Sequence, residues 1–303
     1  MDITVEQPLP APLSPPVLGI DMGGTNLRHA LVDAAGGTVR SSSEPLPEDL
    51  GLRAHAPSRV AARYRDTAAA IGLAVAGTVE DGVLVWSANL GLHDVDFRAR
   101  LGEGFSGPVV VLNDARAAGL AEAVLGAGRE AVSVLSITVG TGIGGALILD
   151  GRLVEGTGQA GEIGHMVIDP SGPPCNCGRR GCWEQLAGGR ALARAAAELC
   201  PGEADPVACL VARAEAGDGP ARATIDHAAE LFGLGIDNLC AVLAPEVIIL
   251  GGGIMARAGL VSDAYRTAAR STIWGGRTLI RDSRLGDAAG HLGAALAARA
   301  ALA

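Results

Sequence analysis

Four side chains spaced along residues 165–182 are of the types that hold a soft divalent metal: His165, Cys175, Cys177 and Cys182. Imidazole and thiolate are the donors zinc takes in tetrahedral sites. A full set of four protein donors describes a structural ion better than a catalytic one with an open position. Gly178 and Gly181 fall between the ligands, where turns tight enough to gather them need a residue tolerant of positive φ. The competing explanations are unrelated buried thiols or disulfides, and Cys175 and Cys177 stand too close in sequence for an easy bridge. Glu162 and Glu184 flank the ligands, and since zinc does not need them they are left for a substrate.

Two glycine turns of one design lie elsewhere. The first is Asp21-Met22-Gly23-Gly24-Thr25-Asn26 and the second is Thr138-Val139-Gly140-Thr141-Gly142-Ile143-Gly144-Gly145. Backbone N–H groups in such turns can wrap phosphate oxygens because no Cβ blocks their approach. Thr25 adds a hydroxyl, and Asp21 is a carboxylate that can hold Mg²⁺ directly or through water. The second turn lacks the Gly-Lys-Ser/Thr ending of a Walker loop and runs into a strand, which also excludes a dinucleotide fingerprint. A third cluster, Gly251-Gly252-Gly253, follows an apolar strand and could let a base or ribose lie against bare backbone. Asp114 ends another apolar strand and opens a helix. It reads either as a helix cap or as a general base for an attacking hydroxyl. Asn113 and, less strongly, Asn89 are of the type that pairs with sugar hydroxyls.

The elements that position these groups follow from the apolar pattern. Strands are expected at 17–21, 27–32, 71–76, 83–86, 109–112, 132–139, 146–150 and 247–250, with a hairpin turn at Asp150-Gly151. Helices are expected at 59–70, 115–125, 184–199, 206–216, 220–243 and from 288 onward. Strand, glycine turn, strand, hairpin, strand and helices occur once from Val17 and again from Val132. That coarse repeat predicts an α/β fold of two similar halves with a cleft between them. The expected boundaries are a disordered proline-rich tail at 1–16, an N-terminal domain at 17–127 completed by a helix at 288–303, and a C-terminal domain at 128–287.

Composition sets limits. The 303 residues are 49% apolar and only 3% aromatic, so Ala, Gly, Val and Leu must do most of the packing through close helix–sheet contacts. A formal charge of −9 argues against a nucleic-acid partner, which needs a basic face. No apolar run approaches the length of a membrane helix, and the N-terminus does not have the form of a signal peptide, so no membrane partner and a cytoplasmic location are expected. Free thiols suit that reducing compartment, and Cys200, Cys209 and Cys240 read as ordinary buried thiols on Ala-rich helices.

With these motifs assembled, the chain resembles the ROK family (repressors, open reading frames, kinases), and within it the bacterial sugar kinases of glucokinase type. The matching stretches are DMGGTNLR at 21–28, LNDARAAGLAE at 112–122, TVGTGIGGALILDGRL at 138–153, GQAGEIGH at 158–165, CNCGRRGCWE at 175–184 and LGGGI at 250–254. The resemblance implies a two-domain actin-like fold of the hexokinase/Hsp70, ribonuclease H-like kind, with ATP and Mg²⁺ phosphorylating a hexose, commonly at the 6-hydroxyl. It makes Asp114 the catalytic base and puts Gly77, Asn89, Asn113, Glu162, His165 and Glu184 around the sugar. It assigns the nucleotide to Asp21, Gly23, Gly24, Thr25, Asn26, Thr138, Gly140, Thr141, Gly142, Gly251 and Gly252, and a structural Zn²⁺ to His165, Cys175, Cys177 and Cys182. It also implies a homodimer or homotetramer. Three departures bear on which sugar is used: Ala76-Gly77-Thr78-Val79 where many members have a Pro-Gly-Pro-Val-like segment, Asn26 where glucokinases often have Lys, and GLHDVDF at 91–97 without the usual Trp. Besides glucose, the candidates are N-acetylmannosamine, fructose, mannose, allose or a cyclitol, and the donor could be polyphosphate. A ROK-type regulator without catalysis is disfavoured because few residues precede the first glycine turn to carry a DNA-binding module.

Overall fold

The computed structural model describes residues 15–302, so most of the expected tail at 1–16 lies outside the described residues. The chain divides into two units, one running up to Ala121 and resuming at Asp287, the other Glu122–Gly286.

The first unit contains β1 (Val17–Met22), β2 (Asn26–Val32), β3 (Thr38–Pro45), α1 (Leu50–Ala62), β4 (Ile71–Val75), β5 (Thr78–Glu80), β6 (Val83–Ser87), β7 (Leu92–Asp96), α2 (Phe97–Gly102), β8 (Val109–Asn113) and the start of α3 (Asp114–Val124). Its main sheet has the order β3-β2-β1-β4-β8, and β5-β6-β7 form a separate antiparallel sheet. One face packs against α1 through Leu18, Ile20, Leu27, Val60 and Ile71. The helix starts earlier than expected: Asp49 caps it by accepting from the Leu52 N–H, and Pro57 sits buried inside it. Residues 63–70, expected to be helical, instead form turns closed by bonds such as Thr67 N–H to the Tyr64 carbonyl.

The second unit contains β9 (Val134–Val139), β10 (Ile143–Leu149), β11 (Arg152–Leu153), α4 (Trp183–Ala187), α5 (Gly189–Leu199), α6 (Pro206–Glu215), α7 (Gly219–Leu243), β12 (Val247–Gly251), α8 (Gly253–Ala256), α9 (Leu260–Ser271) and β13 (Leu279–Asp282). Its sheet order, β11-β10-β9-β12-β13, reproduces that of the first. In each sheet the leading strand is central, pairing antiparallel with its hairpin partner on one side and parallel with the strand on the other. The internal repeat is therefore a repeat of topology, and both glycine turns are the hairpin tips of the leading strand. The second tip is shorter than expected. β10 begins at Ile143, so Gly144 and Gly145 belong to the strand, and a Cβ on Gly145 would lie 2.5 Å from Ile163 Cδ1. The helix expected at 184–199 breaks at Gly188, which ends α4 and precedes α5.

Three of the eight Trp, Tyr and Phe residues form one stack. Trp183 stacks on Phe232 with centroids 5.4 Å apart, and Phe232 on Tyr265 at 4.7 Å. The polar ends are satisfied, Trp183 Nε1 donating to the Leu231 carbonyl and the Tyr265 hydroxyl to that of Ala187. This fixes α4 onto α7 and α9.

The helix α10 (Ala289–Ala300) returns to the first unit and lies across β1 and β4. Its approach is as close as backbones allow: a Cβ on Gly19 or Gly72 would stand 1.9 Å from the carbonyl oxygen of His291 or Ala294.

One cysteine expectation is overturned. Cys200 and Cys209 are joined in a disulfide rather than standing as separate thiols, because the α5–α6 turn brings their Cα atoms to 6.3 Å. Cys240 is a buried free thiol as expected. Closing a loop with a sequence separation of 9 removes chain entropy worth about 3 kcal/mol. Cys200→Ser should lower stability by about that amount in denaturant titrations without reductant, and should match the wild type once both are reduced. An unchanged midpoint in the absence of reductant would show that the bond does not form.

Candidate functional site

The segment before α4 folds back on itself. A short 3-10 turn at Ile163–His165 is followed by paired backbones, with Val167 opposite Cys182 and Pro174 opposite Arg180. The Cys175 N–H donates to the Arg179 carbonyl, and the Gly178 N–H returns to the Cys175 carbonyl, making a knuckle around Cys177. Gly181 is obligatory, since its φ is +67° and a Cβ there would overlap the Asp169 carbonyl.

This folding gathers the four expected donors. One ligand atom from each of His165, Cys175, Cys177 and Cys182 lies within 4.8 Å of the others. Cys177 Sγ and Cys182 Sγ are 3.5 Å apart, as are Cys175 Sγ and His165 Nδ1. Tetrahedral ligation at the usual zinc bond lengths separates neighbouring donors by roughly 3.5–4 Å, so the set fits that ion. The charge pattern agrees. Burial pushes the Cys175 thiol up, and burial with hydrogen bonding among the thiols pushes Cys182 up to about 12. Burial also opposes ionisation of Cys177, but hydrogen bonds from Arg179 and the neighbouring thiols outweigh it and bring Cys177 down to about 6. Cys175 and Cys182 therefore keep their protons in the metal-free cluster, and all three sulfurs would become thiolate ligands only with a cation to compensate them. His165 turns Nδ1 to the thiols and Nε2 toward Glu162, whose Oε2 is 3.9 Å away. Glu184 reaches the same cluster, with Oε1 3.5 Å from Cys175 Sγ and 3.8 Å from His165 Nδ1.

In the first unit Asp21, Gly23, Gly24, Thr25 and Asn26 form the tip between β1 and β2, closed by the Gly23 N–H to the Asn26 carbonyl. Asn26 Nδ2 donates to Thr25 Oγ1 at 3.1 Å. A Cβ on Gly23 or Gly24 would meet nothing nearer than 3.7 Å, so packing does not explain these glycines, whereas a ligand over the tip would. Asp21 is pushed up to about 7 by burial and by the nearby charge of Asp114, against the pull of Arg28 at 4.0 Å. Excess negative charge of this kind suits a divalent cation.

Asp114 begins α3, but the cap is Asn113, whose Oδ1 accepts from the Arg116 N–H. Asp114 Oδ1 accepts the adjacent Ala115 N–H at 2.9 Å, and burial raises the pKa of the carboxylate against the pull of its hydrogen bonds. Asn113 Nδ2 also donates to the Gly77 carbonyl at 3.0 Å, which ties two of the expected sugar-lining residues together. Gly77 has φ +138°, and a Cβ would lie 2.5 Å from the Trp86 carbonyl oxygen. Asn89 is exposed in the loop between β6 and β7, its Cβ 3.9 Å from where a Cβ of Gly24 would be.

In the second unit Thr138 is the last residue but one of β9, and Gly140, Thr141 and Gly142 form the tip that follows. Gly140 stands in open space, whereas a Cβ on Gly142 would be 2.3 Å from Glu184 Oε2, the end of a long side chain that it would displace. Gly251 ends β12 and Gly252 precedes α8. Beside these turns lies a cleft of about 830 Å³ whose lining includes Thr141, Leu192, Val207, Val211, Ile254 and Val261. The walls from α5 and α6 were not marked by any motif; only their apolar helical spacing could have signalled them.

Comparison with known proteins gives one consistent result. The model of the ROK family matches residues 17–301. A glucokinase of Halalkalibacterium halodurans is 34% identical over 263 residues, 78% of this chain and 80% of that protein. An N-acetylmannosamine kinase of Yersinia pseudotuberculosis is 34% identical over 293 residues, covering 94% and 99%. Among solved structures, a ROK family glucokinase from Streptomyces griseus in complex with glucose and AMPPNP superposes with a TM-score of 0.78 at 31% identity, over 94% of this chain and 99% of that one.

Proposed function

This chain belongs to the ROK family and has the α/β fold of its sugar kinases, and from that premise we propose that it transfers the γ-phosphoryl group of ATP to a hexose, with glucose at its 6-hydroxyl as the favoured acceptor. The observation that carries the chemistry is Asp114: a carboxylate at the start of α3, next to the capping Asn113, with its proton affinity raised by burial. A base of that kind takes the proton of a sugar hydroxyl as the hydroxyl attacks phosphorus. The Gly23–Asn26 and Gly140–Gly142 tips would hold phosphate oxygens on backbone N–H groups, and the cleft beside Thr141 would take the base. Asp21 would hold Mg²⁺, which supplies charge neutralisation on the phosphates. Asn89 and the remaining hydrogen-bonding capacity of Asn113, with Glu162, His165 and Glu184, would pair with sugar hydroxyls. A structural Zn²⁺ on His165, Cys175, Cys177 and Cys182 would hold rigid the loop that carries the last three.

The N-acetylmannosamine kinase relative at equal identity makes that sugar the second choice. A coupled ADP-release screen over hexoses, hexosamines and cyclitols tests both. Highest kcat/KM with glucose is expected, highest with N-acetylmannosamine selects the alternative, and no release with any acceptor removes the kinase reading.

No helix among the described residues is long and apolar enough to cross a membrane. We place the protein in the cytoplasm because a thiolate–metal cluster suits a reducing compartment. The Cys200–Cys209 bond points the other way, and a thiol count on protein purified without reductant decides between them. A homodimer or homotetramer is supported by Val242, Ile273, Trp274 and Leu279, all exposed on the second unit.

A further inference from the structure

Glu184 lies between two sites that the sequence keeps apart. Its Oε1 is 3.5 Å from Cys175 Sγ, accepts from Gln185 Nε2 at 3.2 Å and stands 3.8 Å from His165 Nδ1. Its Oε2 lies against Gly142, so closely that a Cβ on that glycine would be 2.3 Å away. A side chain at the third position of the second tip would therefore have to displace this carboxylate. Gly140, two residues earlier, has no protein neighbour within 4 Å of a Cβ and keeps its room for a ligand.

The backbone after Glu184 reinforces the link. The Gly188 N–H donates to the Glu184 carbonyl, the Gly189 N–H to the Gly140 carbonyl at 2.9 Å and the Arg190 N–H to the Thr141 carbonyl at 2.9 Å. The break between α4 and α5 exists to let this happen. A Cβ on Gly188 would come within 2.6 Å of the Glu184 carbonyl oxygen and 3.2 Å of Gly142 Cα. The tip Gly140–Gly142 is thus shaped from outside, by the segment Glu184–Arg190 that follows Cys182.

We propose that Glu184 is a positioning residue through which the Cys/His cluster and the second glycine tip are coupled, so that metal and nucleotide each strengthen the binding of the other. This rests on the reading of that tip as a nucleotide-phosphate site. In physical terms, metal ligation takes the proton from Cys175 and the Nδ1 lone pair of His165, which ends the Cys175 S–H bond to Glu184 Oε1. The carboxylate is then left to Gln185 Nε2 and to its place against Gly142, in the shape that presents the tip's N–H groups. Emptying the cluster returns the thiol bond and draws the carboxylate toward Cys175, and the tip then has to be ordered at the expense of nucleotide affinity. Linkage requires the effect to be the same in both directions.

The test uses the full chain, without sugar and with Mg²⁺ present throughout. Zinc affinity is measured by competition with a chromogenic chelator, with and without a saturating non-hydrolysable ATP analogue. Affinity for the analogue is measured separately on metal-loaded and metal-stripped protein. The wild type should bind zinc about tenfold tighter with the analogue bound, and the analogue about tenfold tighter with zinc bound, a coupling of ordinary size. Glu184→Ala should still bind each ligand but with the two affinities independent, and Glu184→Gln, which keeps the volume against Gly142, should restore most of the coupling. Equal zinc affinity with and without analogue in the wild type overturns the proposal, as does undiminished coupling in Glu184→Ala. Should Glu184→Ala fail to fold, the wild-type pair of measurements decides alone. A metal-loaded wild type that does not bind the analogue at all refutes the nucleotide reading of the tip instead.

Discussion

Asp114→Asn is expected to lose turnover by ~10²–10⁴-fold, the usual scale for removing a general base, while retaining affinity for the sugar. The amide keeps the shape of the carboxylate and can still accept the Ala115 N–H bond made by Asp114 Oδ1 at 2.9 Å. What it lacks is basicity. Isothermal titration with the sugar and a coupled assay with ATP separate the two effects, and near-normal kcat in the variant would remove Asp114 from the reaction. The wild-type acid limb of kcat should lie above the ordinary carboxylate range, because burial raises the pKa of this group. The same shift has a consequence for stability. The folded-state pKa lies above the unfolded value, so the stability this group contributes is present below the unfolded pKa and lost as pH rises through the raised one. Asparagine escapes that loss. Asp114→Asn should therefore melt higher than the wild type at neutral pH, and the difference should shrink toward pH 4. A variant that is both less active and less stable at neutral pH would show that the carboxylate is held by partners and is not merely desolvated.

Cys177→Ser should lose the metal and, with it, sugar affinity by tenfold or more, on the scale seen when the surroundings of a metal site are disturbed. Cys177 is exposed at the tip of the knuckle, so the substitution leaves no cavity in the core. The aromatic stack of Trp183, Phe232 and Tyr265 remains to hold α4, and the far-UV spectrum should be unchanged. Metal analysis of the wild type should give close to one zinc per chain. A wild type without metal, or a metal-free Cys177→Ser with full sugar affinity, would contradict the framing role of the cluster.

The parts of this protein that sequence makes visible are those whose chemistry repeats at short range. The Cys and His spacing, the two glycine tips and the strand ending in Asn113-Asp114 each carry their signal within ten or so residues, and most strands follow from apolar runs. The disulfide was not visible, because Cys200 and Cys209 meet only through the α5–α6 turn. The start of α1 was missed because Pro57 lies inside that helix, where proline ordinarily argues for a boundary. At 113–114 the sequence leaves Asp114 open as cap or as base, since Asn and Asp are equally good caps, and only geometry gives the cap to Asn113. Glu122 gave no sign at all. Its buried carboxylate accepts from the Ala127, Arg284 and Leu285 N–H groups, partners up to 163 residues away. Gly142 is the instructive case: the turn pattern offers it to a phosphate, and only the fold shows that a Cβ there would also displace the Glu184 carboxylate.

The return of α10 to the first unit sets an order on synthesis. Glu122–Gly286 is one continuous stretch and can fold as soon as it has left the ribosome. The earlier sheet cannot finish. The face of β1 and β4 that bears Gly19 and Gly72 has no cover until residues 289–300 emerge, although its strands are among the first made. For most of translation the nascent chain therefore carries an apolar sheet face with nothing on it, the kind of surface that chaperones bind and that aggregates when they are scarce. A circular permutant that moves the last helix ahead of Val17 would shorten that exposure, and its gain in soluble yield at elevated temperature would measure what the native order costs.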